Sequence, residues 1–233
     1  MYRKLLTKFL KNLDKKVSFK FPFVFLFFCY WINTYSTLGS KIIIYLSSED
    51  NFIEYCSFLL ILFSAFYVFR TIQIKKVKIL QTSKNSILIF LFLFLIFWAI
   101  EEVSWGERIF NFSWDSLANI NSQSELNIHN LKIIQPHLHK GYYIVGLLLS
   151  VTCILKKKSK SSLLPDKSLL YFFLLPSLYY LVGEFFVNFP IEIRGAYVLR
   201  SHMFFMQEPN EFLFSLGTFL YSLRLYKVAK NKN

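Results

Sequence analysis

Long apolar runs, separated by connections that carry nearly all the charge, set the pattern of this chain. Six runs stand out, at about 22–39, 54–71, 86–105, 141–155, 169–189 and 204–224. Each approaches the roughly 20 residues that a helix needs to cross a bilayer. The fourth is shorter, and its outer end is expected near Leu138. Because helices satisfy their own backbone polar groups in lipid, the pattern predicts an all-α polytopic membrane bundle of about six transmembrane helices. One membrane domain over 21–226 is expected, between a basic leader at 1–20 and a tail at 227–233.

Composition points the same way. Of 233 residues, 55% are hydrophobic and 20% aromatic, above the roughly 45–50% apolar usage of soluble domains. The formal charge of +13 could signal nucleic acid, but its distribution argues against that partner. Lysine and arginine gather in alternate connections: seven in 1–20, five in 70–84, five in 156–167 and four in 224–233, or 21 of 27. Six alternating helices place all four segments on one side, which the basic excess marks as cytoplasmic. Both termini are therefore expected inside. The opposite side takes 12 of the 14 acids and all four histidines.

No cleavable secretory signal is evident, since the first apolar run is long and lacks a small-residue cleavage pattern beyond it. The leader carries Leu5, Leu6, Phe9, Leu10 and Leu13 at helical spacing. It fits an amphipathic helix on the anionic inner leaflet or a solvated basic tail equally well. Cys29, Cys56 and Cys153 are widely spaced within apolar runs and are read as packing residues.

The third run ends in Glu101-Glu102-Val103-Ser104-Trp105-Gly106-Glu107-Arg108. Paired carboxylates at the edge of a bilayer are costly, so they mark a candidate site. Beyond them lies an outer-face segment, 104–140, long for a compact bundle and therefore a candidate carrier of function. Trp105, Ile109, Phe110, Phe112 and Trp114 suit the membrane interface. Ser122 to Leu131 is expected to be a short helix, with Ser122 and Glu125 spaced as a capping box. Within it Glu125 and His129, four apart, would share a face.

The blocks Glu101-Glu102-x-Ser104-Trp105-Gly106-x-Arg108 and Asn121-x-Gln123-x-Glu125-x-Asn127-x-His129-Asn130 resemble those of an uncharacterised family of bacterial multi-spanning membrane proteins. That family carries E-E-x-S-W-G-[QE]-[RH] and N-x-Q-x-E-x-N-x-H-N motifs. The resemblance extends to a glutamate pair near the last span, here Glu208 and Glu211. It implies a bacterial inner-membrane location and a shared outer-face site, and no particular reaction. Glu107 departs from the glutamine common in the family.

Depth counting at 1.5 Å per residue sets Glu101 and Glu102 about one turn inside the outer end of the third run. Glu184 lies as deep in the fifth, and Glu208 and Glu211 open the sixth, where Pro209 suits a first helical turn. Acids at one depth on three helices are expected to face a common polar pocket, neutralised by cations, shared protons or Arg108, Arg194 and Arg200.

Three functional classes fit that set. The preferred one is a metal-dependent enzyme acting on a lipid or lipid-linked substrate. Glu102, Glu125, His129, Glu208 and Glu211 are then ligands to a divalent metal, Glu101 and Glu102 act in catalysis, and Arg108 neutralises substrate charge. Trp105, Asn127, Asn130 and Glu184 are candidate substrate contacts, although a tryptophan at this depth is more often a belt anchor and the asparagines are equally capping residues. Gly106 permits a tight exit from the helix. His137 and His139 are expected to be solvated loop residues, and His202 an interface residue or accessory ligand. The second class is a cation or proton-coupled transporter, disfavoured because the inner thirds of the runs are almost free of charge. The third is a non-catalytic assembly or scaffold protein whose acid network is structural.

Overall fold

Apolar side chains all around a run leave its backbone nothing to pair with but itself, and each of the six predicted runs carries a helix among its described residues. The computed structural model describes residues 18–35, 45, 52–75, 83–107, 128, 131–155, 163–187 and 206–231. In order, the long helices are α1 (Ser18–Tyr35), α2 (Phe52–Ile74), α3 (Ser83–Glu102), α4 (Gln135–Leu155), α5 (Leu170–Val187) and α6 (Gln207–Lys230). Single 3-10 turns at Ser104–Gly106 and Lys167–Leu169 follow α3 and lead into α5. No strand occurs among the described residues. Phe52–Ile74 and His137–Leu155 are long and apolar enough to cross a membrane.

Three boundaries differ from those expected. α4 begins at Gln135, so His137 and His139 are helical rather than loop residues. Ile128 lies in a bend, not a helix, because its N–H is given to a side chain. α6 continues past Arg224, where the sixth apolar run ends, to Lys230, and carries Lys227 and Lys230 in its last turn. Cations are favoured there by the helix dipole. Of the basic leader, only 18–20 lies within the described residues.

The chain divides into two units. The first comprises 1–48 and 143–214, the second 49–142 and 215–233. In the first, α1 and α5 run in the same direction: Phe21 stacks on Phe172, while Ile32 and Tyr179 both pack on Cys29 and Met206. α6 enters against them, because Met206 meets Cys29 whereas Phe212 meets Phe25, farther back along α1. α4 approaches α5 closely at Gly146. A Cβ built there would overlap Ser177 Oγ and lie 3.0 Å from the Phe173 carbonyl oxygen. Pro176 leaves a gap in the bonding of α5, and beside it Ser177 Oγ donates to Phe173 O at 2.5 Å.

In the second unit α2 and α3 form an antiparallel hairpin, with Phe69 against Phe92. The buried face of α2 repeats at alternating steps of four and three through Ser57, Ile61, Ser64, Val68 and Thr71. Its three hydroxyls donate to the carbonyls of Ile53, Leu60 and Tyr67. Phe63 and Phe66 are exposed, while the buried side carries Ile61, Ala65 and Val68 beside the hydroxyls. α6 is the most enclosed helix, burying Ser215, Thr218, Ser222 and Ala229 along one side.

Candidate functional site

α3 stops in an unusual way. Ser104, Trp105 and Gly106 have φ of 46°, 56° and 79°, three consecutive left-handed residues. Gly106 adopts that region without penalty, whereas a side-chain-bearing residue there costs roughly 1–2 kcal/mol. The Gly106 N–H closes the turn onto Val103 O at 2.8 Å. The tight exit expected at Gly106 is present and begins two residues earlier, at Ser104.

Two indoles bracket the acid pair. Trp98 Nε1 donates to Glu102 Oε1 at 2.7 Å, and Trp105 Nε1 donates to Glu101 Oε1. Each pair is four residues apart, one indole before the acids and one after them. The Trp98 ring packs against Phe94 and Tyr142, and the Trp105 ring meets Phe97 edge-on. The second oxygen of Glu101 accepts the backbone N–H of Ile128 at 2.8 Å. Glu101 is 4% exposed; Glu102 is half-buried. Glu54, in the first turn of α2, lies at the same end of the hairpin, since α2 starts where α3 ends.

A second carboxylate centre belongs to the first unit. Tyr180 Oη donates to Glu211 Oε1, and Gln207 Nε2 donates to the same oxygen at 3.2 Å. Glu208 and Glu211 both lie within electrostatic reach of Tyr179. Asn210, 1% exposed, donates from Nδ2 to Met206 O at 2.7 Å, and its Oδ1 has no partner among the described residues. Pro209 occupies the first turn of α6, as expected. Glu184 is half-buried one turn beyond Tyr180 on α5.

The structure thus brings Glu211 to α5 and residue 128 to Glu101. Glu101, Glu102 and Trp105 belong to one unit, and Glu184, Glu208 and Glu211 to the other. Arg108, Glu125, Asn127, His129 and Asn130 lie outside the described residues, as do Arg194, Arg200 and His202. Among the described residues, no three histidine, cysteine, aspartate or glutamate side chains group as a metal site. Trp105 is 42% exposed, and its indole N–H serves Glu101.

Sequence reasoning overlooked Trp98, Tyr180 and Gln207 as carboxylate partners. The spacings Trp98 to Glu102 and Gln207 to Glu211 carried a signal, because residues four apart on a helix are neighbours. Tyr180, 31 residues from its acid, carried none. Comparison of the sequence with known protein families, curated proteins and solved structures finds no match.

Proposed function

We propose that this chain is a multi-pass protein of a bacterial inner membrane, with six crossings and both termini cytoplasmic. The observation that carries this reading is the outward placement of large apolar side chains on helix after helix. On α1 these are Phe23, Phe27, Phe28 and Trp31; on α4, Ile144, Leu148, Val151 and Ile154. Contiguous apolar surface of this extent is a liability in water. In lipid it is the expected outer face, while small residues inside let helices approach closely. The directions of α1, α5 and α6 agree with alternate crossings, and the basic connections then fall on the cytoplasmic side.

At the outer face, the end of α3 with segment 104–140 is proposed to form a site for a metal-assisted reaction on a lipid or lipid-linked substrate. Glu102, Glu125 and His129 supply the carboxylate and imidazole donors of a divalent-metal centre. A metal so held polarises a phosphoryl or carbonyl oxygen, or activates water. Support comes from the Ile128 bond to Glu101, because His129 is the next residue in the chain. Arg108, directly after Glu107, is assigned to substrate charge. Glu208 and Glu211 are read as a separate carboxylate centre.

Elemental analysis of detergent-purified protein tests the reading. Stoichiometric metal in the parent, lost in Glu102→Gln and His129→Ala, is the expected result; a folded, metal-free parent contradicts it. One observation favours a second reading, a non-catalytic assembly protein: Tyr180 of α5 donates to Glu211 of α6, so a buried carboxylate joins two helices. Under that reading the same variants lose melting temperature and no metal.

A further inference from the structure

Two adjacent acids at the end of α3 have different partners, and the difference assigns them different work. Glu102 is half-buried and takes its indole from Trp98, one turn back within the same helix. Glu101 is buried, and both its oxygens accept N–H groups from beyond the helix end: the Trp105 indole on Oε1 and the Ile128 backbone on Oε2. Ile128 is 27 residues away in sequence. Its amide is followed by a run of turns, with Leu131 N–H donating to Ile128 O and Ile134 N–H donating to Leu131 O, which leads the chain into α4.

We infer that Glu101 is a latch: its carboxylate fastens Ile128, near the far end of the outer connection, to the end of α3. Asn127 and His129 are the neighbours of Ile128 in sequence. The inference rests on the outer-face site proposed above and makes Glu101 a positioning residue in it. The left-handed turn contributes by ending α3 immediately after the acid pair while Trp105 still reaches Glu101. A carboxylate whose two oxygens are both bound holds its orientation. Burial limits the water that could take the place of the Ile128 amide, and an amide bonded to a charged acceptor is held more firmly than one bonded to a neutral group.

Hydrogen–deuterium exchange of the full-length protein in detergent, read at the Ile128 amide, tests the latch. Glu101→Ala is expected to accelerate exchange there by about tenfold to a hundredfold, the loss of one charge-assisted bond. Tyr55→Phe, on the exposed side of α2 and outside the site, is expected to exchange at the parent rate. Glu101→Gln keeps one acceptor oxygen, so it is expected to rescue the Ile128 amide while shifting the Trp105 indole N–H resonance. Parent-like exchange in Glu101→Ala, or equal acceleration in Tyr55→Phe, overturns the inference. Should Glu101→Ala fail to fold, Glu101→Gln decides the matter: no change at either Ile128 or Trp105 overturns it. Metal content is a separate readout. A parent without metal whose Glu101→Ala variant still frees Ile128 leaves the latch standing and removes the enzyme reading.

Discussion

Tyr180 shows how much a single donor carries where water is scarce. Its hydroxyl and the Gln207 amide share one oxygen of buried Glu211, and removing a partner from a buried acceptor costs about 1–3 kcal/mol. Tyr180→Phe is therefore expected to lower the melting temperature of the detergent-solubilised protein measurably, with little effect from Tyr55→Phe on the exposed side of α2. An unchanged melting temperature in Tyr180→Phe would show that Glu211 does not depend on this bond. At this scale the sequence marked the acids and missed their partners. Glu101, Glu102 and Glu211 stood out because charge next to an apolar run is conspicuous. Indoles and phenols did not, since at a membrane edge aromatic residues are expected for other reasons.

Between elements, α4 approaches α5 closely at Gly146, beside Ser177. A methyl group there must displace the Ser177 hydroxyl and still press on the Phe173 carbonyl and the Phe214 ring, each 3.0 Å away. Overpacking of this kind costs about 1–3 kcal/mol. Gly146→Ala is expected to melt lower than the parent, and Gly146→Ala with Ser177→Gly to regain part of the loss. Equal melting of parent and Gly146→Ala would mean that the helices can part at no cost. The helices themselves were legible from hydrophobic run length. Their contacts were not, because outward and inward faces are both apolar enough to hide a helical stripe. Only small residues such as Ser57, Ser64 and Thr71 on α2 mark the inner side, and they become meaningful once the large residues are seen to point out. The expected short helix over 122–131 shows a further limit. Of the residues its capping-box spacing predicted, 122–127 and 129–130 lie outside the described residues, while Ile128 bends and bonds Glu101, a long-range partner that local pattern cannot foresee.

For the whole molecule, charge asymmetry makes the strongest statement available from sequence, and the proposed membrane reading rests on it together with the exposed large apolar side chains of α1 and α4. The proposed site depends on both, since an outer-face reaction requires 104–140 to lie opposite the basic connections. A charge introduced on an outward face costs about 2.5–3.5 kcal/mol at the centre of a span. Phe63→Arg is accordingly expected to reduce the membrane-integrated yield far more than Ser159→Arg in a basic connection. Similar yields for the two would argue against α2 as a span. The most direct measurement is side-specific labelling in intact bacterial cells. With Cys29, Cys56 and Cys153 replaced by alanine, a single cysteine at Ser116 and another at Ser159 are each treated with a membrane-impermeant thiol reagent. Ser116→Cys is expected to label in intact cells, and Ser159→Cys only after lysis. The reverse pattern, or equal labelling of both in intact cells, would contradict an outer-face site between α3 and α4.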